Sequence, residues 1–189
     1  AGKAGMKILE FFENYYQIPY PGSKLDLIAI PDFAMGAMEN VGAVTFRESL
    51  LLIDEAKATR QELSRSVSVI AHELAHMWFG DLVTMKWWDG IWLNEAFASL
   101  MEAIAANGTY PEFEQWSEMN LSRSAGFGVD SLKSSRPVEF EVETPEQAEE
   151  MFDVLTYEKG STVLKMFEMF VGEEVFRMGV QKYLNKYKF

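Results

Sequence analysis

The chain has 189 residues, a length that suggests one domain with at most a small subdomain. Hydrophobic residues make up 48% of it, which excludes a disordered chain, and the net charge of −12 argues against nucleic acid as a partner because phosphate binding requires basic patches. The absence of cysteine excludes disulfides and thiolate metal ligands. We find no signal peptide and no apolar run of about 18 residues, so we expect no membrane segment and favour a cytoplasmic location.

The first third of the chain predicts one helix followed by strands. Apolar residues at helical spacing indicate a helix over residues 6–16, which the following prolines end. Leucine and isoleucine enrichment predicts a strand over 25–30. Residues 41–46 and 50–53 predict two further strands, which we expect to form an antiparallel pair across their short gap.

Capping boxes predict where several helices of the remaining chain begin. Thr59 and Glu62 have the hydroxyl and carboxylate spacing of such a box, which opens a helix that ends by Gly80. The same signature at Thr109 and at Thr144 predicts two more helix starts.

The C-terminal third combines a loop-rich stretch with two helices. Residues 122–142 are rich in glycine and serine, and we expect loops there that cross near a cleft. Residues 158–171 and 173–187 predict two helices, separated at Gly172. The whole pattern predicts an α+β fold, with a small early sheet followed mainly by helices.

The only two histidines of the chain stand four residues apart, in the sequence His72-Glu73-Leu74-Ala75-His76. On a helix, residues with this spacing lie one turn apart on one face. Two imidazoles can there bind one metal ion while the intervening glutamate reaches a water on the metal, as in zinc peptidases. The alternative is a helix with two incidental histidines, which would have to place a rare residue type at ligand spacing by chance.

Glu95 is the candidate for a third ligand. Catalytic zinc usually takes three protein ligands and leaves a fourth position for water. Glu95 lies in an apolar stretch that ends near Asn107-Gly108, and a carboxylate on the inner side of such a helix is costly to bury unless it is paired or binds a metal. A solvated helix glutamate is the alternative. We therefore expect one zinc ion per chain, bound by His72, His76 and Glu95.

Three further segments carry motifs: residues 36–40 read G-A-M-E-N, residues 76–88 read H-M-W-F-G-D-L-V-T-M-K-W-W, and residues 155–160 read L-T-Y-E-K-G. Together with the histidine pair and Glu95, they resemble the aminopeptidase N family of gluzincins, whose zinc is held by two histidines and a later glutamate. The resemblance runs from about Ile8 to the C-terminus. It implies a thermolysin-like catalytic domain, in which a sheet lobe and a helical lobe flank the zinc.

The resemblance also implies the chemistry. The expected activity is zinc-dependent hydrolysis of the N-terminal residue from peptides with a free N-terminus. Glu73 would act as general base on the metal-activated water and return the proton to the leaving amine. Tyr157 would donate a hydrogen bond to the oxyanion. From its local sequence alone, Tyr157 would be an ordinary half-buried tyrosine at a helix start.

The substrate-binding residues implied by the resemblance are Met35, Gly36, Ala37, Met38, Glu39 and Asn40. Glu39 would bind the free α-amino group, with a share for Glu95. Gly36 and Ala37 lack bulk, so an extended substrate can approach the backbone closely. Met35 would line the pocket for the first side chain of the substrate, although a methionine in the core is its default interpretation. The motif at residues 36–40, taken alone, also fits a plain turn.

Glu102 is the candidate partner for a zinc-bound histidine, because it lies seven residues after Glu95 on the same helix face. A solvated surface glutamate is nearly as good an interpretation.

The departures from the family pattern are Ala96, where glycine is common, and Gly90, where an acidic residue is common. Neither falls on an expected catalytic position, though both can alter packing near the zinc helices.

Relatives in this family are much longer, with a β-rich domain before the catalytic domain and a helical one after it. We therefore expect residues 1–189 to be a catalytic-domain fragment, with the other domains of the parent enzyme as its partners.

Three alternatives to the aminopeptidase function stay open. The first is an epoxide hydrolase of a related branch, which typically has glycine at the position of Ala37. The second is a non-catalytic binding domain, and the third is a folded but inactive fragment.

Overall fold

The computed structural model describes residues 1–188 and has the expected α+β architecture, in which a small sheet precedes a mainly helical region. Its regular elements, in chain order, are α1 Gly2–Tyr16, β1 Asp26–Ile30, β2 Ala37–Met38, β3 Ala43–Arg47, α2 Glu48–Leu51, α3 Arg60–His76, α4 Ile91–Thr109, α5 Gln115–Asp130, α6 Pro145–Glu150, α7 Gly160–Val171 and α8 Glu173–Tyr187. No helix within residues 1–188 is long and apolar enough to cross a membrane.

The sheet has three strands in the order β1-β3-β2. β1 runs parallel to β3, and β2 runs antiparallel to it, with Ala37 opposite Phe46. The predicted antiparallel pair of 41–46 with 50–53 is wrong, because the chain turns directly into α2 after β3. Leu51 is buried there, and the carbonyl of Leu50 accepts a hydrogen bond from Ser66 of α3. Tertiary contact with α3 therefore overrides the strand propensity of this apolar run.

Helix α1 and the turn after α3 form an aromatic part of the core. The fully buried rings of Phe12 and Tyr16 lie 5.5 Å apart, and Tyr16 lies 5.1 Å from Trp78 between ring centroids. The indole N–H of Trp78 donates to the carbonyl of Ile18. These contacts fix the segment that follows His76 and thereby one side of the candidate site.

Helix α3 begins and ends close to its predicted positions, and α4 ends at Thr109, close to the predicted end near Asn107-Gly108. Thr59 and Glu62 form the complete capping box at the start of α3. The same device is present at Thr144 in front of α6. At Thr109 the prediction is wrong: its hydroxyl donates to the carbonyl of Ala105 inside α4, and only a short 3₁₀ turn follows. Because the Thr109 hydroxyl already hydrogen-bonds within the preceding helix, it does not cap the next one.

The predicted loop over 122–142 is helical in its first nine residues, which complete α5. Gly126 lies inside that helix without breaking it. A Cβ there would lie 3.1 Å from Glu158, so the glycine allows close packing. From 131 to 142 the chain is irregular, as predicted. The break between α7 and α8 occurs at Gly172, where a φ of 89° requires a residue without a side chain.

Candidate metal and active site

Three potential metal-binding atoms face one another where α3 packs against α4. The Nε2 atoms of His72 and His76 are 3.1 Å apart. Oε2 of Glu95 lies 3.2 Å from the first nitrogen and 3.4 Å from the second. Ligands at about 2.0–2.1 Å from a tetrahedral zinc ion are separated by about 3.3–3.4 Å, so these three atoms form a triangle of the size that such a site requires.

The orientation of both imidazoles is set by acceptors on their far nitrogens. Nδ1 of His72 lies 3.1 Å from Oε2 of Glu102, and Nδ1 of His76 lies 2.9 Å from the carbonyl of Phe79 and 3.1 Å from Oδ1 of Asn94. These acceptors favour a proton on Nδ1, which leaves the Nε2 lone pairs directed at each other. Two such lone pairs 3.1 Å apart repel unless a cation lies between them, so the donor set fits a metal ion.

The electrostatics of this cluster favour positive charge. Burial alone would lower the pKa of His76, but the hydrogen bond with Glu95 raises it to about 9. For His72, burial is outweighed by Glu102 and Glu95, and the pKa rises well above its usual value. Burial would raise the pKa of Glu95, yet the two imidazoles hold it below its usual range. The cluster thus attracts protons or a metal ion into a buried place.

Glu73 lies beside this triangle as a buried carboxyl group. Glu73 is 6% exposed, and burial raises its pKa to about 7 even though the charges of His72 and His76 act to lower it. A carboxyl group with a pKa near neutrality can both accept and return a proton at physiological pH.

A cleft of about 1180 Å³ opens in front of the site and is lined by His72, Glu73 and Tyr157, among others. The Tyr157 ring lies 5.9 Å from the His72 ring between centroids. Burial, followed by the nearby Glu95 carboxylate, raises the pKa of the Tyr157 hydroxyl well above its usual value. Tyr157 therefore keeps its proton at neutral pH and remains a hydrogen-bond donor.

The residues of the G-A-M-E-N segment divide between the cleft and the surface. Gly36 and Ala37 line the cleft together with the preceding Met35, whereas Met38, Glu39 and Asn40 are absent from its lining, and Met38 and Asn40 are exposed. Asn40 instead donates to the hydroxyl of Thr45 on β3. Glu39 is largely buried, and its Oε1 lies 3.9 Å from Nδ1 of His76.

Several residues of the site carry no local sequence signal. Ser68 donates to Glu102, and Oε1 of Gln115 lies 3.2 Å from the Ser68 oxygen, so polar side chains surround the carboxylate behind His72. Asn94, the residue directly before Glu95 on α4, accepts from Nδ1 of His76 at 3.1 Å and likewise has no sequence signal. Gly80 leaves room for the Asn94 side chain, since a Cβ at Gly80 would lie 2.6 Å from the Asn94 oxygen.

Comparison with known proteins places the chain in a family. The model of the peptidase family M1 domain matches residues 1–189. The chain is 51% identical to "Probable aminopeptidase 1" of Sulfurisphaera tokodaii over 97% of its length, and 52% identical to "Endoplasmic reticulum aminopeptidase 2" of Homo sapiens over 99%. It covers only 23% and 20% of those two proteins. The chain belongs to peptidase family M1.

Proposed function

We propose that this chain provides the catalytic centre of a zinc-dependent aminopeptidase, which removes the N-terminal residue from peptides. The observation that carries the proposal is the triangle of His72, His76 and Glu95 donor atoms with the Glu73 carboxyl group beside it. Relatives named aminopeptidases support it, although the chain spans about a quarter of their length or less.

Zinc is the metal that this donor set suits best. Two imidazole nitrogens and one carboxylate oxygen are the ligands of a catalytic zinc site with one open position. Zinc bound there would lower the pKa of a water molecule toward neutrality and polarise the substrate carbonyl. Glu102 and Asn94 would hold the two imidazoles in the ligating orientation.

Glu73 and Tyr157 would carry the proton transfer and the charge stabilisation. Glu73 accepts the proton of the attacking water and delivers it to the leaving amine, for which a pKa of about 7 is suited. Tyr157 donates its hydroxyl hydrogen to the oxygen of the scissile carbonyl as negative charge develops there. Both side chains line the same cleft, which gives a bound peptide access to both.

Glu39 would recognise the free α-amino group. Its Oε1 lies 3.9 Å from Nδ1 of His76, so the carboxylate stands beside one imidazole of the donor triangle. Gly36 and Ala37 would let the peptide backbone approach the cleft wall, with Met35 beside its first side chain. A partly buried carboxylate discriminates strongly for a cation, so this arrangement favours peptides with an unblocked N-terminus.

A panel of aminoacyl chromogenic amides tests the proposal on the full-length protein. We expect hydrolysis that is lost on chelation and restored by zinc but not by magnesium. We also expect little hydrolysis of the matching N-acetylated amides. Equal cleavage of free and acetylated peptides would indicate an endopeptidase, and epoxide opening without amide cleavage would indicate the epoxide-hydrolase alternative.

A further inference from the structure

Tyr157 is carried by an unusual helical turn. Residues Leu155–Lys159 form a single π-helical turn directly before α7. Such turns are rare and occur frequently at functional sites, because they widen the helix and re-aim a side chain. A turn of this kind needs contacts from outside to hold its shape.

The N-terminal end of the turn is held by an aspartate and an arginine. Oδ1 of Asp153 accepts hydrogen bonds from the backbone N–H groups of Leu155 and Thr156, each at 3.0 Å. The guanidinium of Arg136 lies 2.7 Å from the same oxygen and also donates to the hydroxyl of Thr156 at 3.0 Å. Thr156 is fully buried, so the arginine reaches into the interior.

The C-terminal end of the turn is held by Asp130 and by the backbone of Arg136. The ammonium group of Lys159 donates to Asp130 at 2.7 Å and to the backbone carbonyl of Arg136 at 3.1 Å. Arg136 therefore contacts both ends of the five-residue turn, with its side chain at one end and its carbonyl at the other. Its side chain is 14% exposed, while most neighbouring residues of the loop are exposed.

We propose that Arg136 is a positioning residue that holds the Tyr157 hydroxyl in register with the metal site. The proposal rests on the role of Tyr157 in the proposed function. Tyr157 lies at the middle of the turn, so a rotation of the turn displaces the hydroxyl at the far end of its side chain. A displacement of about 1 Å in a catalytic group can lower the rate by about a hundredfold.

Arg136→Met tests this role, because it removes the guanidinium and keeps the backbone carbonyl that binds Lys159. In the full-length, zinc-loaded protein we expect kcat to fall by about 10- to 100-fold. KM and zinc content should stay near the wild-type values, and Arg136→Lys should restore part of the loss. Arg177→Met is the matched control, since Arg177 lies on α8, where it pairs with Glu174 and lies over the ring of Tyr15 on α1; it should leave kcat unchanged.

Combination with Tyr157→Phe separates positioning from general folding. If Arg136 acts through the hydroxyl, Arg136→Met should cause no further loss in the Tyr157→Phe protein. An equal loss in both backgrounds overturns the proposal and leaves the proposed function intact. Wild-type turnover by Tyr157→Phe instead refutes the role of Tyr157 and the positioning role with it. A crystal structure of Arg136→Met with the Tyr157 ring unmoved against His72 also overturns the proposal, independently of activity.

Discussion

The orientation of the His72 imidazole rests on one acceptor, the carboxylate of Glu102. Glu102 accepts from Nδ1 of His72, and its other oxygen is held by Ser68. We predict that Glu102→Gln weakens zinc binding by about 10- to 100-fold, because a neutral amide oxygen accepts from the imidazole more weakly than a carboxylate and leaves the imidazole less basic. Competition against a chromophoric chelator measures the effect. Glu118→Gln is the control, since Glu118 is exposed on α5 at the edge of the same cleft.

Glu73 can be tested without disturbing the metal. Glu73→Gln keeps the shape of the side chain but cannot accept the proton of water. We predict wild-type zinc content and thermal midpoint with a loss of kcat of several orders of magnitude, which is more than acid–base assistance alone, about 10²–10⁴-fold, usually contributes. Elemental analysis, thermal unfolding and steady-state kinetics provide the three measurements. Turnover near the wild-type rate would exclude Glu73 as the general base.

Glu39 should discriminate between free and blocked peptides. We predict that Glu39→Ala lowers kcat/KM on free aminoacyl amides by the equivalent of about 2–4 kcal/mol, the loss expected when a largely buried charge-assisted pair is removed. N-acetylated substrates should already be poor with the wild type and should lose little more. If both substrates lose activity equally in the variant, Glu39 supports the structure and does not read the amine.

At the scale of elements, the contact between α4 and α7 depends on a pair of small residues. A Cβ at Gly160 would lie 2.7 Å from the Cβ of the fully buried Ala96, next to Glu95. We predict that Gly160→Ala lowers the free energy of unfolding by about 1–3 kcal/mol through overpacking. Adding Ala96→Gly should recover most of this loss, because it removes the Cβ that the new alanine side chain at position 160 would meet. The double variant still has one glycine and one alanine at these two helix positions, so the total helix propensity is nearly unchanged. Denaturant unfolding of the four proteins measures the coupling, and additive losses would contradict the packing explanation.

Elements whose start is encoded locally could be predicted, and those decided by distant contacts could not. The boxes at Thr59 and Thr144 satisfy backbone N–H groups three residues away, so the signal and its structural partner lie together. The same letters at Thr109 fail because the hydroxyl bonds backward into α4. Leu50 and Leu51 form a helical turn because α3 covers it, which no local pattern encodes.

The residues of the site likewise fall into a group that local sequence spacing predicts and a group that it does not. The spacing of His72 and His76 places both rings on one helix face, and the seven-residue step from Glu95 to Glu102 places both carboxylates on another. These four residues meet as the sequence predicts. Asn94, Ser68 and Arg136 could not be predicted, because each acts across a tertiary contact whose partner is fixed only when the helices pack.

At the scale of the whole molecule, the site joins elements that are distant in sequence. Helix α3 supplies two donor atoms and α4 the third, while Glu39 from the sheet region approaches the same cluster. The chain carries a net charge of −12, and several of its carboxylates surround this cluster. The three donor atoms are already assembled in the folded protein, whereas they are far apart in the unfolded chain. The folded state should therefore gain more from a dication than the unfolded chain does.

This difference predicts that zinc raises the stability of the entire fold. A ligand that binds only the folded protein stabilises it by about 2.7 kcal/mol at a concentration of 100 Kd, so the thermal midpoint should rise with free zinc and fall on chelation. Calorimetry on the chelated and zinc-restored wild type measures the shift, with magnesium as the ion control. In His76→Ala the response to zinc should be strongly reduced, because one corner of the donor triangle is missing. A wild-type protein that binds one zinc per chain yet unfolds at the same temperature without it would show that the site contributes nothing to holding α3 against α4.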